Sequence, residues 1–203
     1  MKQAWIGVIS LAGSLTVAAA GPRTFTVDTG RSKALIDVGK TGAFSFAGHT
    51  HEVEAPLTGG TVHFDPDDTS KSTLHLEFNA AAMKVTGKSD PPADVPKVTE
   101  AMLGEQVLNV KQYPSITFDS TAVSGRGSAS ALDLQITGNL TIRGTTKPAR
   151  AATSVKIEGD TLTATGKFAI KQTDFGIKPI SVGGMVKVKD ELAITFTIVA
   201  QER

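Results

Sequence analysis

The chain has 203 residues, 40% of them hydrophobic and 20% charged, which suits a single globular domain and excludes a disordered or low-complexity polypeptide. Its formal charge is only +1, so nothing in its electrostatics favours nucleic acid or an anionic membrane surface. It contains no cysteine, which excludes disulfides, thiolate catalysis and a lipid-modified amino-terminal Cys.

The amino terminus reads as a leader. Lys2 precedes an apolar run from Ile6 to Val17 that is broken only by small residues and Ser or Thr, and Ala18-Ala19-Ala20 follow before Gly21. A short basic region, an apolar stretch and small residues at the cut positions describe a secretory signal peptide over 1–20, with the mature domain over 21–203. The run falls short of the roughly 20 apolar residues of a spanning helix, so no stable membrane anchor is expected after cleavage. Removing Lys2 leaves 21 minus 1, or 20, basic residues against 20 acidic ones. The only Trp lies in the leader, so Tyr113 and nine Phe are the mature aromatic supply, a poor set for stacking on bases.

Beyond the leader, period-two alternation dominates. Val62 and Phe64 share a face, as do Leu74, Leu76 and Phe78, and again Ile116 and Phe118. The longest run sets Leu132, Leu134, Ile136, Gly138, Leu140 and Ile142 against Asp133, Gln135, Thr137, Asn139, Thr141 and Arg143. This is a strand with one buried and one wet face. Gly138 falls on the buried face, where a missing side chain lets the strand bend or another group approach its backbone. After Lys147-Pro148 the inward parity passes to Ala149, Ala151, Val155 and Ile157. Gly159-Asp160 then turns the chain into Leu162, Ala164, Gly166, Phe168 and Ile170, an antiparallel hairpin. Val186 and Val188 precede a turn at Lys189-Asp190, after which Leu192, Ile194, Phe196, Ile198 and Ala200 share one face. Consecutive amphipathic strands with hairpin-length turns indicate a sandwich or a barrel, and their lengths favour the barrel.

The segment from Met83 to Gln112 breaks this alternation. Pro91, Pro92 and Pro96 cluster ahead of a helical pattern capped by Asp94, with Val95, Val98 and Met102 on one face and Gly104 at its end. Such a helix covers one barrel end, either as a plug or as a lid that admits ligand.

His49-Thr50-His51-Glu52 puts two imidazoles on one face of an extended segment, directed toward the barrel mouth. The pair suits hydrogen bonding to a polar ligand head. As the alternative, His49 and His51 supply two ligands to a metal or haem, although no third ligand stands at a telling spacing. His63 and His75 fall on the wet face. Motifs for a serine hydrolase, a zinc protease, a phosphate-binding loop or a cysteine nucleophile are missing. Gly125-Arg-Gly127 reads as a tight turn between strands, and Asp174-Phe-Gly176 as a turn and not the kinase triplet.

The string Gly138-Asn-Leu-Thr-Ile-Arg-Gly-Thr-Thr-Lys-Pro148 resembles the signature of the YceI-like family of periplasmic lipid- and polyisoprenoid-binding proteins. Phe25-Thr-Val-Asp28 with Ser32, Gly48-His49, Gly59-Gly60, Tyr113-Pro-Ser-Ile-Thr-Phe118 and Asp174-Phe-Gly-Ile177 resemble further pieces of the pattern, in the family's order. Two places depart from it: Gln172-Thr173 stand where an Arg often precedes Asp-Phe-Gly, and Val107-Leu108-Asn109 replace an aromatic pair.

The resemblance implies an all-β fold, an antiparallel lipocalin-like eight-stranded β-barrel with a short helix covering one end. Periodicity alone leaves open whether such a barrel is filled by its own side chains or holds a ligand. The resemblance implies the second: a periplasmic protein, not an enzyme and without cofactor, that carries or stores an isoprenoid or fatty-acyl lipid. The residues expected to line its cavity are Phe44, Phe46, Leu74, Leu76, Phe78, Ile136, Leu140, Phe168 and Phe196, with Met83, Met102 and Leu108 near the helical cover and His49 and His51 at the mouth. The rival readings are a metal- or haem-binding stress protein, a hydrolase or isomerase acting on a lipid in the same cavity, and a ligand-free barrel. Whether the chain forms a homodimer stays open.

Overall fold

Eight antiparallel walls follow one another in chain order and close on themselves. The structure, a computed structural model, describes residues 21–41, 50–128, 131–182 and 186–203. The first wall is β1 (Arg23–Val27) and β2 (Lys33–Thr41), and the second is β3 (His51–Glu54) and β4 (Leu57–Phe64). The third is β5 (Thr73–Asn79) and β6 (Lys84–Val85), separated by a 3-10 turn over Ala80–Ala82. Four unbroken strands follow: β7 (Ser115–Ser128), β8 (Ala131–Ile142), β9 (Thr145–Glu158) and β10 (Thr161–Lys171). After the short β11 (Ser181–Val182), β12 (Val186–Glu202) is the last wall. Each wall pairs with its sequence neighbours, and β12 seals the ring by pairing with both pieces of the first wall, Ala200 opposite Val27 on β1 and Ile194 opposite Ile36 on β2.

The alternation read from the sequence is the alternation of this barrel. Along β9, Ala149, Ala151, Thr153, Val155 and Ile157 are buried while Arg150, Ser154, Lys156 and Glu158 are exposed. An apolar inside and a charged outside is the reverse of a barrel that faces lipid. Gly159-Asp160 forms the expected hairpin between β9 and β10, and His63 and His75 are exposed.

Three local expectations are corrected. Gly125-Arg-Gly127 is not a turn but part of β7, and a Cβ on Gly125 would stand 2.1 Å from the Asp133 carbonyl oxygen of the adjacent strand. These glycines let two strands approach, which a sequence shows in the same way as a turn. Lys189-Asp190 is a bulge within β12, where four steps from Val188 to Leu192 oppose two from Lys40 to Val38. Polar bonds occupy it: the Gln172 amide donates to the Lys189 carbonyl at 2.8 Å, and Thr173 donates to Asp190 through its backbone N–H at 2.9 Å and its hydroxyl at 2.8 Å. These bonds hold the Asp190 carboxyl below the usual carboxylate range. The helix α1 (Val95–Leu103) forms as expected with Pro96 in its first turn, but the Asp94 side chain makes no capping hydrogen bond; its carbonyl instead accepts from Val98 N–H at 2.9 Å.

Buried apolar residues form two clusters, one toward each barrel end. The first gathers Phe25, Val27, Leu57, Phe64, Leu132, Leu134, Val155, Leu162, Ile198 and Ala200. The second gathers Ala34, Val53, Ala55, Ala80, Met83, Val85, Leu108, Ile142, Ala149, Phe175 and Ile177, against which the helix packs Val95, Val98, Met102 and Leu103.

Candidate ligand-binding site

The second cluster surrounds a cavity of about 360 Å³. Sites for small molecules run from about 300 to 1,000 Å³. Its walls come from most sides of the barrel: Ala34, Ile36 and Val38 on β2, Val53 on β3, Phe78 on β5, Ile116 on β7, Leu140 and Ile142 on β8, Phe168 and Ile170 on β10, and Leu192 and Ile194 on β12. Val98, Ala101 and Met102 of the helix and Val107 and Leu108 after it roof the chamber. Only His51, Lys97 and Gln172 contribute polar side chains to this lining.

A second chamber of about 110 Å³ lies in the first cluster, lined by Leu74, Leu76, Ile136, Val155, Leu162 and Ile198 among others. Phe78, Leu140, Phe168 and Ile194 line both chambers, so they form the waist between them. Phe168 and Phe196 meet there with ring centroids 6.3 Å apart and planes tilted by 59°, in the range of favourable aromatic pairs. Two glycines make room for the rings. A Cβ on Gly138 would stand 2.4 Å from Phe118 Cζ, and one on Gly166 would stand 2.5 Å from Phe196 Cζ. Thr153 lines the deep chamber, buried with its hydroxyl unpartnered.

The string around Gly138 also anchors the roof. Arg143 and Gly144 form the two-residue turn between β8 and β9 with φ of 51° and 70°, the doubly left-handed geometry that matches strand twist. The ring of Tyr113 lies where a Gly144 Cβ would be, 2.7 Å away at Cε1. The Arg143 guanidinium donates to the carbonyls of Glu105 at 2.9 Å and Gly176 at 3.2 Å. One turn thereby ties together the segment after the helix and the turn over Gln172–Phe175.

At the rim, His51 Nδ1 lies 2.5 Å from Asp90 Oδ1. The Asp90 side chain is only 1% exposed, and its other oxygen has no partner. An ionised carboxylate only accepts, so Nδ1–H is the donor and Nε2 is the free ring nitrogen. A neighbouring pair braces the loop after β6: Glu52 accepts from the Lys88 ammonium at 3.0 Å and from the Thr86 hydroxyl at 3.0 Å, which holds the Glu52 carboxyl below its ordinary range.

The structure places the expected residues as follows. His51, Met83, Met102 and Leu108 line the wide chamber, Leu74, Leu76, Ile136 and Phe196 the deep one, and Phe78, Leu140 and Phe168 both. Phe44, Phe46 and His49 lie outside the described residues. Among the described residues no three of His, Cys, Asp or Glu come together as a metal site. Sequence reading missed Ile36, Val38 and Val53, which alternate like any wall, and Phe175, which is 3% exposed and reaches the chamber from a turn.

Comparison with known proteins agrees with this architecture. The model of the YceI-like domain family matches residues 25–200. A UPF0312 protein of Shewanella sp. (strain W3-18-1) is 40% identical over 83 residues, 37% of this chain and 41% of that protein. Protein YceI of Salmonella arizonae is 38% identical over 101 residues, 50% of this chain and 47% of that protein. The matched stretch thus spans less than half the length of either relative. Among solved structures, BcnA of Burkholderia cenocepacia superposes with a TM-score of 0.66 at 23% identity, covering 85% of this chain and 98% of that one. A polyisoprenoid binding domain from Saccharophagus degradans, implicated in plant cell wall breakdown, gives 0.60 at 9% identity, covering 88% and 98%. At such identities the likeness is one of fold.

Proposed function

The chain belongs to the YceI-like domain family, and on that premise we propose that it is a non-catalytic carrier or store for one elongated apolar lipid, an isoprenoid or fatty-acyl chain lying along the barrel axis. The observation that carries this reading is the lumen itself: a wide apolar chamber and, across a waist of Phe78, Leu140, Phe168 and Ile194, a narrower one. A filled barrel would have no such space. The solved polyisoprenoid binding domain of the same fold supports the ligand class. Each methylene taken out of water contributes about 0.8 kcal/mol, so ten supply about 8 kcal/mol before association costs. A long tail is therefore needed for tight binding, and two apolar chambers in line suit one.

We further propose that this carrier works in the periplasm, a reading supported by the leader expected over 1–20. Intact-mass measurement of the protein from its own host is expected to show a chain starting at or near Gly21; retention of Met1 overturns the export reading. Organic extraction of the same preparation, followed by mass spectrometry, is expected to release a single-chain lipid in near-stoichiometric amount. A preparation that releases none, and binds neither added palmitic acid nor farnesol, overturns the carrier reading.

A further inference from the structure

We propose that the lipid is a carboxylic acid, its head held at the rim by His51 and Lys97 while Asp90 positions the imidazole. The inference rests on the carrier reading and adds the chemistry of the head. Three observations lead to it. Asp90 is a buried carboxylate behind the rim, held through one oxygen by His51, which lines the wide chamber, while the other oxygen has no partner. A buried charge left so is costly unless its one partner also becomes charged. Lys97 lines the same chamber from the exposed side of the helix, and among the described residues no ion pair engages it.

These groups share one corner of the barrel. β3, which carries His51, pairs with β6 at Val53 and Val85, and the loop after β6 carries Asp90 and leads into the helix that carries Lys97. Thr86 N–H donates to the Glu52 carbonyl at 2.8 Å, fixing the start of that loop against β3.

The charges select the head group. With a neutral imidazole, Asp90 and Lys97 cancel. A carboxylic acid entering the rim gives up its proton as its O–H bond breaks, and His51 Nε2 takes that proton. Imidazolium, ammonium, Asp90 and the ligand carboxylate then sum to zero, and His51 bridges two carboxylates as a donor at both nitrogens. A phosphate monoester, with a charge of about −1.5 to −2, overshoots this balance. An alcohol head has no acidic proton to deliver.

The test compares palmitic acid, hexadecanol and farnesyl phosphate by calorimetric titration of the mature protein, the parent and the variants His51→Gln, Asp90→Asn and Lys97→Met. The parent is expected to bind the acid at least about tenfold more tightly than the alcohol, the usual effect of a charge-assisted hydrogen bond. His51→Gln is expected to close that gap, and Lys97→Met to narrow it. Nitrogen NMR of His51 is expected to show Nε2 gaining a proton when palmitic acid binds and not when hexadecanol does; Asp90→Asn is expected to remove that signature even if the acid still enters. Equal affinity for acid and alcohol overturns the acid head and leaves the carrier reading standing. Tighter binding of farnesyl phosphate overturns the carboxylate in favour of a phosphate. Binding of none of the three overturns the carrier reading and this inference together.

Discussion

The two ends of this barrel are built from the same kind of strand and differ in what their inward residues leave unfilled. At the end where β1 meets β12, the buried set is Phe, Leu, Ile and Val with one alanine, Ala200, and the remaining chamber is about 110 Å³. At the helical end Ala34 and Ala55 stand among the buried residues and border the chamber directly, and that chamber is about 360 Å³. The closed end is also latched from outside: Arg23 donates to Glu202 and to the Gly159 carbonyl, and its guanidinium lies 4.9 Å over the Phe25 ring. The helical end is roofed by a segment that carries few of the barrel's own hydrogen bonds. One end therefore supplies stability and the other space, and a change of side chain should have opposite consequences at the two.

Substitutions can break or sharpen that contrast. The largest effect is expected from Phe25→Ala, which empties a fully buried site at the closed end and should cost about 3–5 kcal/mol in chemical unfolding. Phe168→Ala, at the waist and already bordering space, should cost clearly less while weakening lipid affinity; equal losses would erase the distinction between the ends. Enlarging an alanine reverses the logic. Ala200→Leu, between Val27 and Leu162, should destabilise by about 1–3 kcal/mol through overpacking. Ala55→Phe, pointing into the wide chamber, should leave stability unchanged or raise it by about 0.5–2 kcal/mol, with lipid capacity lost.

The smallest effect concerns pH. The Arg23 hydrogen bond holds the Glu202 carboxyl below its ordinary 4.5, and the Lys88 ammonium does the same for Glu52 at the helical end. Groups depressed on folding stabilise above their unfolded value and lose that contribution as pH falls through the folded one. Thermal midpoints are therefore expected to fall below about pH 4.5, and Glu202→Gln to flatten the fall slightly, because pairs open to solvent on one side are weak.

The walls were legible because the pleat imposes a period of two that the residues of β8 and β9 follow without interruption. Glycine was legible as a special position and in its role only in part: Gly138 seats the Phe118 ring on its bare buried face, as expected there, while Gly125 and Gly127 bring two strands together and do not turn the chain. Lys189-Asp190 carries turn-forming chemistry, yet Gln172 and Thr173 capture it as a bulge, a tertiary partnership that no local pattern encodes. The same holds for the site. The alternating aromatic and aliphatic residues could be assigned to the lumen from parity, whereas Asp90, 39 residues from His51 and inside an irregular loop, could be found only once the loop was folded against β3.

The double pairing of β12 has a consequence for how the ring comes into being. Seven of its eight seams join walls adjacent in the chain, and the turn at Arg143-Gly144 closes one over two residues. The eighth joins Arg23 to Glu202 across a separation of 179 residues. Closing a loop of that length rather than a hairpin costs about 3 kcal/mol more in chain entropy. The meander can zip locally, but cylinder closure waits on the last strand to be made, and until then the edges of β1 and β12 stand unpaired. Arg23, half-buried against Phe25, is placed where that final encounter must be caught and kept.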